Sequence, residues 1–200
     1  LEFRRVLFRS RFWVIGIGLL LAAAGISGLI TNFVPMLTDQ GFTAGAAAGF
    51  AGIIGINVIL GRLLVGLLVD WFWAPGVAAS FLCAPAIAAL VLTGGSLSPS
   101  LIMVSAAIIG LAAGAELDLL AYLTSRYFGL RHYGTLYGSL YVFFALGAGL
   151  APATFGFVYD LNASYVPILK IVALMSVLGG MMMLTLGAYP HRFAKTGQVA

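Results

Sequence analysis

Charge is what this sequence has least of. Asp, Glu, Lys and Arg together make up 8% of its 200 residues, against about a quarter in a soluble domain. So few charges cannot cover a water-facing surface, which excludes a soluble enzyme. The basic residues are scattered and form no basic face, so a nucleic-acid partner is excluded too. Cysteine occurs once. Cys83 lies in an apolar run, supports neither a disulfide framework nor a metal site, and reads as a small packing residue. The two histidines, His132 and His191, fall outside every long apolar stretch. Without them or a second cysteine, a membrane-embedded enzyme lacks a nucleophile or metal cluster, and no metal or cofactor is expected.

What the sequence has in quantity is apolar surface: 62% of its residues, with a mean hydropathy of +1.10. A helix crossing a bilayer needs about 20 mostly apolar residues. Six stretches meet that need: Trp13–Leu37, Ala44–Val69, Pro75–Thr93, Leu101–Leu123, Gly134–Val158 and Tyr165–Ala188. The breaks between them carry turn or charge signals, such as "TDQGFT", "GGSLSPS" and "YDLNAS". The expected fold is therefore an all-α membrane protein of six transmembrane helices with short, antiparallel connections in a lipid bilayer.

Alternating spans put Arg11, the Arg126/Arg131 loop and the Arg192/Lys195 tail on one side. By the positive-inside rule that side is cytoplasmic, and so are both termini. Tyr122, Tyr127, Phe128, Tyr133 and Tyr137 gather near this end, as an interfacial aromatic belt would. The second span ends "GLLVD" and the fifth "GFVYD", a glycine four residues before Asp70 and Asp160 respectively. Three spans separate the copies, so they point oppositely through the membrane, as two inverted three-helix repeats require. Gly45/Gly49, Ala48/Gly52 and Gly134/Gly138 are spaced by four, either for close packing between helices or for sliding. Pro35, Pro85, Pro152 and Pro167 lie in or near spans and are candidate kinks.

Ionisable groups inside a membrane cost about 2.5–3.5 kcal/mol each on insertion scales, so they are the functional candidates. Arg62 lies about two turns from the end of the second span, with Asn57 more than a turn deeper. Its guanidinium offers a planar fork matched to a carboxylate; the alternatives are snorkelling to the interface or pairing with Asp70. Glu116 and Asp118 stand two residues apart in the fourth span, about 200° around the helix, so they cannot share a face. A carboxyl enclosed by apolar groups in general favours its neutral form, which suits proton coupling or gating by Glu116 or Asp118. A structural hydrogen bond or a pair with Arg126 is the alternative. Asp70 is a candidate for gating or helix capping, and Asn32, ahead of Pro35, is a candidate lining group for substrate.

The motifs "GRLLVGLLVD" and "SRYFGLRHYGTLYG" resemble the major facilitator superfamily, and more narrowly its bacterial branch related to monocarboxylate and oxalate/formate transporters. The resemblance runs from Arg11 to about Ala194 and implies the C-terminal half of a twelve-helix fold, lacking its N-terminal six helices. It also implies a secondary active transporter in the bacterial inner membrane, with an arginine at the position of Arg62 binding the substrate carboxylate. Gly66 and Asp70 match the family's loop motif, but "WFWAP" replaces its basic cluster. Mammalian-type monocarboxylate carriers carry an aspartate four residues before the arginine, where this chain has Val58. Oxalate carriers add a lysine in the eleventh helix, and no charge occurs here between Gly134 and Tyr159. The substrate implied is a small organic anion with one carboxylate, moved with or without a proton. A transport-inactive membrane sensor or accessory subunit, or a membrane-embedded enzyme, is the other reading.

The opening "LEFRRVLFRS" reads codon by codon from CTG GAG TTC AGA CGT GTG CTC TTC CGA TCT, which resembles a sequencing-library adapter. Residues 1–10 are thus expected to be non-native, 11–194 to be the six-helix bundle and 195–200 a cytoplasmic tail. Without the first ten, seven basic and five acidic residues remain, and the net charge falls from +4 to +2.

Overall fold

The computed structural model describes residues 10–94 and 97–189, and its regular structure there is entirely helical. The expected non-native segment and tail lie outside the described residues, except for Ser10, where the first helix begins. Six helices follow one another: α1 Ser10–Asp39, α2 Ala44–Trp71, α3 Ala74–Leu92, α4 Pro99–Phe128, α5 Tyr133–Asn162 and α6 Val166–Leu184. At 1.5 Å per residue the 19-residue α3 and α6 are about 28 Å long, close to the hydrocarbon thickness. The 30-residue α1, α4 and α5 reach about 45 Å and extend beyond it. All six are long and apolar enough to cross a membrane.

Local chemistry sets the ends. Thr43 caps α2 by accepting the Ala46 N–H at 3.3 Å, and Ser98 caps α4 by accepting from Leu101 at 3.4 Å. Each fills part of the donor deficit of a helix start. Pro75, Pro99 and Pro167 occupy first turns, where a missing N–H costs nothing. Pro167 therefore begins a helix instead of kinking one. Gly129 closes α4 at φ +78°, a conformation that strains any side chain.

The heaviest packing joins α2 to α4, α1 to α5, and α3 to α6. Exchanging α1 with α4, α2 with α5 and α3 with α6 maps this pattern onto itself. The exchanged helices run in opposite directions, so the chain is two inverted three-helix repeats, as the Gly–Asp echo suggested. Glycines bring the paired helices together. A Cβ on Gly61 would meet the Leu111 carbonyl, one on Gly110 the Ile54 carbonyl, and one on Gly114 the Val58 carbonyl. Gly147 presses against Leu20 of α1, and Gly180 against Ala79 and Cys83 of α3.

These are not the glycines singled out by spacing. Gly45, Gly49, Gly52, Gly134 and Gly138 have nothing within 4 Å of a Cβ position and lie on exposed flanks of α2 and α5. Those two helices are also the least enclosed. Only 22% and 17% of their apolar windows are buried, against 44–56% for the other four. The aromatic belt needs correction as well. Tyr127 is fully buried and donates to the Gly187 carbonyl at 2.6 Å, and Phe128 is buried beside it. Both belong to the core because they lie on the α4 face shared with Leu119, Leu120 and Leu123.

Candidate functional site

The exposed surface of α2 divides into two flanks. At 100° per residue, Ile56, Leu60, Leu63 and Leu67 share one side, all well exposed and suited to lipid. Arg62 falls on the other side with Ala48, Gly52, Gly55, Ile59, Gly66 and Asp70, also exposed. A guanidinium among mostly small residues, with Ile59 the one large apolar group, is poorly shielded from lipid, so this flank belongs against protein or water. Among the described residues Arg62 makes no hydrogen bond or ion pair. The alternative pairing with Asp70 does not form.

Helix α4 brings acidic groups to the same flank. The Cβ position of Gly114 lies 3.1 Å from the Arg62 backbone nitrogen. Asp118 follows one turn later on that face and is exposed. A groove of about 280 Å³ joins it to Val65, Gly66, Val69, Asp70 and Tyr122. Tyr122 donates to the Val69 carbonyl at 3.0 Å and accepts from the Arg126 guanidinium at 2.9 Å, which ties the Arg126 end of α4 to α2. Asp118, Tyr122 and Arg126 are spaced by four, a signal present in the sequence that single-residue scanning passes over. The Asp118 carboxylate is also within electrostatic range of Tyr137 on α5.

Arg62, Asp70 and Asp118 are thus brought to one flank, whereas the other three candidates lie elsewhere. Asn57 donates to its own helix at the Ile53 carbonyl, 2.9 Å away, and packs against Gly110 of α4. Asn32 donates to Gly28 at 3.0 Å and to the Thr31 hydroxyl at 3.1 Å, near the far end of α1. Glu116 points into the bundle, 3% exposed, and its Oε1 has no hydrogen-bond partner among the described residues. The 200° separation from Asp118 explains the contrast between the two carboxylates.

A second polar cluster, not foreseen from sequence, closes the Asp39 end. Tyr159 of α5 donates to the Asp39 carboxylate of α1, and its ring lies 4.5 Å from that of Tyr165. A cavity of about 470 Å³ opens there, lined in part by Gln40, Thr93, Tyr159, Ser164 and Tyr165. Partial burial pushes the Tyr165 phenol above its ordinary pKa, and the carboxylates of Asp39 and Asp160 push it the same way. Tyr159 thus joins α1 to α5 at this end, as Tyr122 joins α4 to α2 at the other.

Comparison with known proteins supplies the context. The chain matches the Major Facilitator Superfamily over residues 1–152. It is 31% identical over 163 residues to an uncharacterised 38 kDa protein in the 23S RNA operon of Thermoproteus tenax, covering 80% of this chain and 40% of that one. Its fold is similar to that of the E. coli fucose:proton symporter FucP, with a TM-score of 0.76 at 15% identity, over 93% of this chain and 45% of that protein. A bacterial homologue of the human lysosomal transporter Spinster, inward-facing and unoccupied, aligns with a TM-score of 0.55 at 22% identity, over 92% and 47% of the two chains. The chain spans less than half the length of each.

Proposed function

Since the chain belongs to the Major Facilitator Superfamily, we propose that it is the C-terminal six-helix half of a secondary active transporter for a small organic anion. Its family and its six apolar helices make it a multi-pass membrane protein of transporter type, not an enzyme. The small-residue flanks of α2 and α5 face the N-terminal half, and the substrate route runs between the halves by alternating access.

One observation carries the anion reading: among the described residues Arg62 has no partner, on the exposed flank of α2 that carries most of its small residues. An unpaired cation in a spanning segment is costly unless a ligand or water meets it, and a carboxylate fits its fork. With no lysine on α5, a single carboxylate is the matching charge, so the substrate is a monocarboxylate. Asp118, a turn away, bears on the coupling. Like charges on one flank repel, the more strongly the less water lies between them. Anion binding is therefore favoured by a proton on Asp118, which makes the two move together. Glu116, sealed in the bundle without a partner, is the second proton carrier, and Asp70 gates the groove. The Arg126 end faces the cytoplasm of a bacterial inner membrane.

Lactate counterflow in proteoliposomes of the complete transporter tests the assignment. Arg62→Ala and Arg62→Lys abolish counterflow while the protein stays folded and inserted. Wild-type rates in both variants would sink it.

A further inference from the structure

The "WFWAP" connection between α2 and α3 has no part in the proposed anion route. Trp71 ends α2 and Trp73 immediately precedes α3. Trp71, Phe72 and Trp73 are 83%, 64% and 42% exposed. The remaining tryptophan of the 200 residues, Trp13, is exposed too and stands three residues inside the same end of the bundle, on α1. The opposite end has none. No charged residue occurs from Trp71 to Ala115, so nothing in this corner suits it to open water.

A groove of about 450 Å³ opens between the end of α2 and the start of α3, with Leu68 and Phe72 on one wall and Trp73, Gly76, Val77 and Phe81 on the other. Its one polar side chain, Ser80, donates to the Gly76 carbonyl at 3.0 Å and is already satisfied. The backbone is prepared for a dry setting as well. The Phe72 N–H donates to the Leu68 carbonyl at 2.8 Å, and that of Ala74 to the Tyr189 hydroxyl at 3.0 Å. Gly76 and Val77 both donate to the Trp73 carbonyl, at 2.9 Å and 3.2 Å. These donors need no water, as backbone at bilayer depth requires. Leu68 lies about 120° around α2 from Arg62, on the side of Leu64 and the leucine flank. On α3, Ser80 shares a face with the exposed Ile87. The groove is therefore continuous with the lipid-suited perimeter and not with the Arg62 flank.

We infer that this corner docks a phospholipid of the leaflet at the Arg126 end, one acyl chain filling the groove between α2 and α3 and the two indoles lying at headgroup level. A groove without a free polar group fits a hydrocarbon chain and offers a polar ligand nothing. Tryptophan suits the layer above it, with an apolar ring against the chains and an N–H for phosphate or glycerol oxygens. Among the described residues the indole N–H groups of Trp71 and Trp73 have no hydrogen-bond partner. The anchor is independent of the Arg62 site.

Fluorescence quenching of the complete transporter in bilayers tests the docking, with every tryptophan except Trp73 replaced by phenylalanine. Phosphatidylcholine brominated near the headgroup end of its chains should quench Trp73 more than lipid brominated near the methyl end, by roughly two-fold or more. Aqueous iodide should quench it little. Ser80→Phe, which fills the groove, should lower the bromine quenching by a similar factor, and Ser80→Ala should leave it unchanged. A nitroxide on Trp71→Cys, in a cysteine-free background that retains Trp73, gives a second reading: oxygen should relax it more than a water-soluble nickel chelate. Quenching by iodide and relaxation by nickel would put the corner in water. Protection from every reagent would put it under the N-terminal half. Either result overturns the lipid anchor, and equal bromine quenching in Ser80→Phe and its parent overturns the chain in the groove.

Discussion

Replacing Gly114 by alanine tests whether α2 and α4 are held together by backbone contact. The added Cβ would sit against the Val58 carbonyl, 2.9 Å from its carbon and 3.1 Å from the Arg62 nitrogen. Carbon atoms rest comfortably at about 3.5–4.0 Å. All these neighbours are backbone atoms, which cannot rotate away as a side chain would, so the helices must separate by roughly 1 Å to clear the carbonyl oxygen. A gap of that size forfeits up to about half of the dispersion at each affected contact. Overpacking of this kind costs about 1–3 kcal/mol, and alanine's better helix propensity returns about 1 kcal/mol. The expected net loss is up to about 2 kcal/mol, or a melting temperature lower by up to about 8 °C for a chain of this size. Gly149→Ala, where a Cβ meets nothing, should be neutral or stabilising by up to about 1 kcal/mol. Thermal unfolding of the chain in detergent, followed by tryptophan fluorescence, reads both. A Gly114→Ala protein as stable as its Gly149→Ala counterpart would refute the backbone-contact seam.

Other perturbations probe the site. Asp118→Asn should remove the acceleration of anion uptake on acidification, because the amide never repels the anion; an unchanged pH profile in proteoliposomes would place the coupling proton elsewhere. Tyr122→Phe loses the hydrogen bond to Val69 and the Arg126 contact. It should destabilise the chain by about 1 kcal/mol, measured in the same unfolding assay. Tyr165 should ionise above the ordinary phenol range. As folding raises its pKa, its contribution to stability is fully present below the unfolded-state pKa and is lost as pH rises through the folded-state value. Asp39→Asn should shift its ultraviolet titration to lower pH.

Much of the fold was legible in the sequence because lipid imposes a simple rule: every apolar run of about 20 residues must become a helix. The six spans, their short turns and the inverted repeat follow from that rule and from the Gly66–Asp70 and Gly156–Asp160 echo. Glycine spacing misled because spacing reports a face but not what lies opposite. Gly45 and Gly49 form a stripe open to the outside, whereas Gly61, Gly110 and Gly114 make the close contacts. The site was legible only in part. The 200° between Glu116 and Asp118 was readable, but which carboxylate turned outward depended on where α2 packs. Asn57 stands close to Arg62 in sequence. Helical geometry turns it toward Gly110 instead, and its amide bonds the Ile53 carbonyl. The Tyr159–Asp39 contact joins residues 120 positions apart and left no local signal.

The most direct measurement is the water accessibility of α2, residue by residue. Cys83 is the sole cysteine of these 200 residues, so Cys83→Ser, with any cysteine in the rest of the transporter also replaced by serine, allows single cysteines at 55, 59 and 66 on the Arg62 flank and at 60, 63 and 67 on the leucine flank. A membrane-impermeant charged maleimide is then applied to the complete transporter with and without lactate. The first set should label and be protected by the anion, while the second stays unreactive. Labelling of the leucine flank, or labelling of the Arg62 flank with no protection by any carboxylate, would contradict an anion route along that face.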